Sequence, residues 1–407
     1  MTLNIAMIFE LGPNDEGSIG GGVELHAINL AKELVKLGHK VTYITGAIPD
    51  SKKKTTIEGV KIRRIDFGKT IKRTYDPQQL SFSRQLSFLL KSILSKSNQS
   101  KDESFDICHG HIYSSGIVAR IFARRSKAKA VNTIHGSYYK YWNQIVSSKL
   151  KAGFYRKMER YLAPFLVRKT AVQIHTDYDF AETVKTWLKP RYKSRVVTIL
   201  NGVDIKKFSL EVDPNPSLSD ETGPIVMTSR RLVAKNGVLF LVQGFKKVLQ
   251  KHPDAVLVII GDGPERGRIQ EEIQKLKLNS NVRMIGMIPN DEIPSYLVKA
   301  DVIAVPSIVE ASSISVLEAM AMKKPVVASD IPGIREITKF GENCVLVQPM
   351  RPSDLADGIC KLLESEHQRI ELGERGYKEV IKNYTWEKKA KEIEQVYYNV
   401  IDTQLPE

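Results

Sequence analysis

Short apolar runs alternate with longer stretches of helical periodicity along most of this 407-residue chain. Residues 4–9 and 41–45 read as buried strands. Between them, residues 23–37 place Val23, Ala27, Leu30, Ala31 and Leu34 at helical spacing, and Gly38 ends the helix. Residues 105–111 read as a strand end and turn, and strands are predicted again at 130–135, 171–176 and 196–200. After residue 224 the alternation restarts, with strands at 225–229, 255–260, 282–284, 301–306 and 325–328. Helices are predicted at 238–249, 292–299 and 315–322, and the tail from 364 is helical. Strand–helix alternation on both sides of one break predicts an α/β protein of two doubly wound, Rossmann-like domains facing a central cleft. The break is 211–224, EVDPNPSLSDETGP, rich in Pro, Ser and acids. The expected division is 1–210, a linker at 211–224, and 225–385. A terminal helix, 386–407, is expected to pack back on the first domain.

The pattern blurs in three places. Residues 50–105 are basic and weakly periodic. Within them 79–94 predicts an amphipathic helix, which suits a membrane surface or, equally, ordinary core packing. Residues 137–169 interleave aromatics with Lys and Arg, as an acceptor surface or a solvated helical face would. Asp177 reads as a helix cap followed by the exposed acid Asp179, rather than as a metal motif. The first turn has Gly20-Gly21-Gly22 but no GxGxxG, so a nicotinamide site is disfavoured.

Composition narrows the setting. The hydrophobic fraction of 42% and charged fraction of 26% are ordinary for a globular protein. No apolar run is long enough to span a bilayer, and the first residues lack the basic start of a signal peptide. The three cysteines, Cys108, Cys344 and Cys360, have no metal or disulfide spacing. A cytoplasmic protein is expected, with peripheral attachment at the inner face of the membrane. Net charge is +15, unevenly spread. Residues 1–200 hold 34 Lys+Arg against 16 Asp+Glu, and the remainder 27 against 30. The basic N-terminal half therefore predicts an anionic partner.

Candidate chemistry centres on 305–330, VPSIVEASSISVLEAMAMKKPVVASD. A strand ends at Pro306, a turn of small residues follows, and a helix begins near Ser315. Free N–H groups at such a helix start suit an anion. Glu310 and Glu318 flank the turn, and carboxylates accept from vicinal hydroxyls. Phosphate plus hydroxyls suggests a nucleotide sugar. One more βαβ unit with two solvated acids is the plainer alternative.

An ordered set of motifs resembles a known family, the retaining GT-B glycosyltransferases of family 4. The set comprises Gly20-Gly21-Gly22-x-Glu24, His135-Gly136, Asn201-Gly202-Val203-Asp204, Arg231-Leu232…Gly237, Gly261-Asp262-Gly263-Pro264 and Glu310-x7-Glu318. The resemblance covers nearly the whole chain. It implies a hexosyltransferase that moves a sugar from a nucleoside-diphosphate donor to an acceptor hydroxyl. It assigns Gly21 and Gly22 to close backbone approach to the donor, with Gly261 also on the donor side. It assigns His135 to the sugar, and Arg231 with Lys235 to the diphosphate. Glu310 would bind the transferred sugar, reinforced by the backbone of Ser313, Ile314 and Ser315, and Glu318 would bind the ribose. It implies no metal and no cofactor beyond the sugar donor, and a front-face mechanism without a protein nucleophile. Glu24 reads as a support of the first helix as readily as a ligand group. His109 and His111 read as core or supporting residues.

Two positions depart from the family pattern. Asn236 stands where the pattern has Lys; Lys235, just before it, is expected to take that place, with Arg230 as the alternative cation. Ser312-Ser313 replaces an aromatic and a glycine, so Ser313 carries a Cβ. The expected acceptor is a lipid-linked or membrane-associated glycan. A soluble acceptor, or a phosphorylase of the same fold, is the alternative. Nucleic-acid binding is the remote one, since no nucleic-acid module is present.

Overall fold

The computed structural model describes residues 1–15, 17, 21–47, 51–65, 82–94, 104–146 and 148–402. Two compact units emerge. The first holds residues 1–201 together with the chain from Trp386 onward, and the second is Gly202–Thr385. The predicted linker thus lies inside the second unit. Its composition signals irregular backbone, not absent contacts. Leu218 is buried, the Asn215 N–H donates to the Ser295 carbonyl at 2.8 Å, and Arg283 pairs with Glu221 at 2.9 Å.

In the first unit the elements run β1 (Asn4–Ile8), α1 (Gly22–Lys36), β2 (Lys40–Gly46), β3 (Lys54–Ile57), β4 (Val60–Ile65), α2 (Phe82–Leu94), β5 (Ile107–His111), α3 (Ile112–Ser126), β6 (Lys129–Ile134), α4 (Trp142–Ile145), α5 (Lys149–Lys169), β7 (Val172–His175), α6 (Tyr178–Thr186), α7 (Pro190–Lys193) and β8 (Val196–Thr198). The sheet order is β3-β4-β2-β1-β5-β6-β7-β8, parallel throughout except for the β3–β4 hairpin. That hairpin turns on Glu58 and Gly59, both at positive φ (45° and 81°), as a two-residue turn requires. Strand order reverses between β1 and β5, where loops part and ligands of doubly wound sheets bind. Residues 79–81 of the predicted amphipathic helix lie outside the described residues. Its described part, α2, buries Phe88 and packs on α3.

The second unit runs β9 (Ile225–Ser229), α8 (Val238–Lys251), β10 (Val256–Ile260), α9 (Arg266–Lys275), β11 (Val282–Gly286), α10 (Ile293–Leu297), β12 (Val302–Val305), α11 (Ile314–Ala321), β13 (Val326–Ser329), α12 (Pro332–Arg335), β14 (Val345–Val347), α13 (Pro352–Leu363) and α14 (Glu366–Asn383). All six strands are parallel, in the order β11-β10-β9-β12-β13-β14. The reversal falls between β9 and β12. These strands are buried on both faces, so they read as continuous apolar runs, not as alternation.

The last helix, α15 (Trp386–Asp402), returns to the first unit and lies on α1. Ala390, Ile393, Tyr397 and Val400 are its buried stripe. Burying Ile393 and Val400 contributes roughly 1.5–3 kcal/mol each. The buried His39 ring bonds Glu394 at 2.8 Å and fixes the helix further.

Candidate active site

In the second unit the loops that leave β9, β10 and β12 stack on one another at the reversal of strand order. Gly237 lies at φ +67°, and a Cβ there would stand 2.0 Å from the Pro306 carbonyl oxygen. Gly261, at φ +130°, is held as closely against the Arg230 carbonyl. No other residue type fits either position. The Ile308 N–H donates to the Lys235 carbonyl at 2.8 Å, tying the β12 loop to the β9 loop.

That stacking carries a buried ionic cluster. Arg230, the first residue after β9, donates from Nη2 to Glu310 Oε1 and, at 3.0 Å, to Asn236 Oδ1. Its Nη1 donates to Ser313 Oγ at 3.3 Å. Glu310 also accepts from Ser307 Oγ at 3.3 Å. Burial pushes the Glu310 carboxyl up, but the charges of Lys235 and Arg230 more than offset it and hold the group below its ordinary range. Glu310 is therefore an anion at neutral pH, aimed by Arg230 and Ser307.

Glu318 differs. It is buried on α11 and burial pushes its carboxyl up to about 7, against the opposing charges of Lys207 and Arg230. The N-terminus of α11 starts at Ser313, whose side chain makes no capping bond. Ser313 has φ −71°, an ordinary extended backbone, so its Cβ brings no strain. The physical consequence of the family departure is its hydroxyl, which receives Arg230. The Ser315 hydroxyl donates to the Ser229 carbonyl at 3.2 Å and so secures the start of α11 to the end of β9.

The first unit gathers four histidines. His109 and His111 end β5, His135 follows β6, and His26 faces them from α1. The rings of His109 and His111 stack at 4.6 Å, and those of His111 and His135 at 5.1 Å. His109 is clamped by Tyr397 and Thr133, each at 2.6 Å, which places it in the core. His111 meets Met7 Sδ through Nε2 at 2.7 Å and His135 Nε2 through Nδ1 at 2.8 Å. A thioether only accepts, so the His111 proton sits on Nε2. Its Nδ1 then accepts from His135 Nε2–H, which leaves His135 Nδ1 as an acceptor. Burial, with the neighbouring His26 and His109, drives His135 well below its usual pKa, so it is neutral. It suits a substrate hydroxyl better than a developing negative charge.

His26 donates from Nδ1 to Asn201 Oδ1 at 2.9 Å. Its buried Nε2 has no hydrogen-bond partner among the described residues. His26, His111 and His135 each place a ligand atom within 4.8 Å of the others. An ion there would have to break the His111–His135 bond. Glu10 is buried at the end of β1 and accepts from Ser114 and Ser115 at 3.4 and 3.3 Å.

Gly21 and Gly22 lie exposed at the start of α1, and a Cβ on Gly21 would meet nothing within 4 Å. Gly20 lies outside the described residues. Glu24 is buried in the first turn of α1. The structure thus brings together Glu310, Lys235, Ser313 and Arg230 in one unit, and His135 with His111 in the other. Arg231 is half-buried, and its carbonyl accepts from Asn236 Nδ2 at 2.8 Å. Sequence reasoning weighed Arg230 only as a substitute cation and passed over Asn236 as an orienting group. The paired Arg230-Arg231 beside a missing lysine was the available signal. His26 carries no motif, so only its inward face on α1 could have marked it.

Two Rossmann-like units with parallel sheets, each with its polar cluster at the strand reversal, define a GT-B glycosyltransferase. The model of Glycosyltransferase Family 4 matches residues 20–207, and that of Glycosyl transferases group 1 matches residues 211–379. The chain belongs to this family 4, group 1 glycosyltransferase family. It is 27% identical over 414 residues to the D-inositol 3-phosphate glycosyltransferase of Corynebacterium urealyticum, covering 97% of this chain and 95% of the relative. It is 25% identical to the phosphatidylinositol N-acetylglucosaminyltransferase gpi3 subunit of Schizosaccharomyces pombe, covering 93% and 78%. The solved structure of Anabaena HepE in complex with UDP-glucose superposes with a TM-score of 0.72 at 16% identity, covering 98% of this chain and all of that one.

Proposed function

We propose that this glycosyltransferase moves a hexose from a nucleoside-diphosphate sugar to a hydroxyl of an anionic polyol or lipid-linked acceptor, with retention at the anomeric carbon. The observation that carries this is the Glu310–Arg230–Lys235 cluster beside the start of α11. An ionised, oriented carboxylate is a strong acceptor for sugar hydroxyls. Lys235, Arg231 and the N–H groups at the start of α11 supply positive potential for a diphosphate. Glu318 is the acceptor for ribose hydroxyls.

In this reading the bond from the anomeric carbon to the diphosphate oxygen breaks as the bond to the acceptor oxygen forms on the same face. The acceptor proton passes to the departing diphosphate. Basic side chains and a helix start stabilise the leaving charge, so no metal enters. His135 Nδ1 accepts from a substrate hydroxyl. An anionic acceptor is supported by the basic N-terminal half and by two relatives, one a D-inositol 3-phosphate glycosyltransferase and one a phosphatidylinositol N-acetylglucosaminyltransferase subunit.

A panel of nucleotide sugars tests this by thermal protection, since a ligand stabilises what it binds. At least one is expected to raise the Tm of the native protein and not of Glu310→Ala. Protection by none, with the protein folded, sinks the donor reading. Proton NMR of the product's anomeric coupling decides retention.

A further inference from the structure

We propose that α5, with the flanks of α2 and α3, is an interfacial surface that seats this enzyme on an anionic lipid bilayer. The inference rests on the membrane-associated acceptor proposed above and names the surface responsible. Helix α5 exposes Leu150 at 89%, Phe154 at 58% and Tyr161 at 65% of their areas. With Lys157 these residues recur at helical spacing and fall within about 60° of arc on one side of the helix. Single exposed apolar residues need no explanation, but three large ones along one stripe do.

The charge around the stripe fits one occupant. Lys149, Lys151, Lys157, Arg160, Arg168 and Lys169 are all exposed on α5. The only acid of this helix, Glu159, points inward. It accepts from Ser137 Oγ at 2.8 Å and Trp142 Nε1 at 3.2 Å, and burial pushes it up to about 7. Both α2 and α5 pack on α3, and the sequences of α2 and α3 contain no acidic residue. Leu86 and Leu90 are exposed on α2, and Arg124 and Arg125 on α3. On α6, Asp179 and Glu182 are paired with Lys140 at 2.6 Å and Lys185 at 2.7 Å. Apolar and aromatic tips surrounded by cations are what the headgroup boundary of an anionic bilayer takes up. A nucleic acid would use the cations and leave Leu150 and Phe154 in water.

The position suits the chemistry. Glu159 bonds Ser137, two residues beyond His135, so the surface helix is joined to the loop that carries the histidine proposed to accept from a substrate hydroxyl. A substrate headgroup held in the bilayer would meet that loop at the membrane level.

The test is flotation of the full chain with vesicles of phosphatidylcholine alone and of equimolar phosphatidylcholine and phosphatidylglycerol, at low ionic strength. The native protein is expected to float with the anionic vesicles only. The variant Leu150→Ser/Phe154→Ser, and separately Lys151→Gln/Lys157→Gln, should bind about tenfold more weakly with unchanged Tm. All four side chains are exposed, so folding is spared. Undiminished flotation of both variants overturns the assignment to α5 while leaving membrane attachment standing. No flotation of the native protein overturns membrane attachment itself, without touching the donor panel. Displacement from vesicles by a duplex oligonucleotide that binds the apolar variant equally well overturns it in favour of polyanion binding.

Discussion

Arg230 and Glu310, eighty positions apart, form a buried ion pair that closes the loop after β9 onto the loop after β12. Asn236 completes it by accepting from the same guanidinium group, at the position where the family pattern has a lysine. The pair sets the direction of the carboxylate proposed to hold the sugar. Arg230→Ala would leave Glu310 buried with Lys235 as its remaining strong partner. A fall of about 10²-fold or more in kcat/KM is expected, with a stability loss of roughly 3 kcal/mol. Asn236→Lys would set an ammonium against Arg230 and should lower Tm. Adding Arg230→Met should recover part of that loss. If Arg230→Ala keeps native turnover, the pair is structural only.

As the proposed ribose ligand, Glu318 should make donor binding depend on pH. Its carboxyl is raised to about 7 in the fold from an ordinary value of 4.5, by burial. The ionised form is the stronger acceptor, with both oxygens open to hydroxyl donors. Donor affinity should therefore rise as pH increases through about 7, and Glu318→Gln should flatten that dependence. The stability effect has the opposite sense. A raised folded pKa means the native state holds the proton longer, so stability falls between pH 4.5 and about 7 by roughly 3 kcal/mol. Glu318→Gln should accordingly raise Tm more at pH 8 than at pH 5. Equal Tm shifts at both pH values would refute the raised pKa.

Much of this was legible in the sequence, for physical reasons that differ by element. Strands buried on both faces, such as β10 and β12, announce themselves as apolar runs, and α1 does so through its stripe and Gly38. Glu310 and Glu318 carried a fixed spacing around a small-residue turn. The β3–β4 hairpin did not show, because Glu58-Gly59 replaces the usual Asn-Gly signal. The unit boundary at Asn201 was missed because 211–224 has a linker's composition yet is anchored by Leu218 and Glu221. Arg230's partners were illegible in principle, since a guanidinium choosing among Glu310, Asn236 and Ser313 is settled only by the stacking of loops.

His135 should act as a neutral acceptor. The chain Met7–His111–His135 fixes its proton on Nε2. Nitrogen-15 NMR of the histidines should show the Nε2–H tautomer for His135, with no protonation down to pH 6. His135→Asn, which retains an acceptor oxygen, should keep more activity than His135→Ala, for which a loss of about 10²-fold is expected. Met7→Leu removes the acceptor that holds the His111 proton on Nε2 and should produce a mixture of tautomers. A charged His135 at pH 7 would contradict the whole chain of bonds.

The proposed metal independence rests on where the positive charge lies. Arg230 and Lys235 converge on Glu310, and the start of α11 adjoins them through Ser313. If Lys235, Arg231 and the start of α11 stabilise the departing diphosphate, as proposed, a chelator removes nothing that the reaction uses. Activity after dialysis against EDTA should equal that of untreated enzyme, and added Mg²⁺ should change it by less than about twofold. The His26–His111–His135 group offers a counter-test, because its nitrogens lie close enough to be gathered by a transition metal. Zn²⁺ bound there would break the His111–His135 hydrogen bond and take His135 from the substrate, so it should inhibit, and His26→Ala should relieve that inhibition. Loss of activity on chelation, restored by one divalent ion, would reverse the assignment and make a metal part of the leaving-group chemistry.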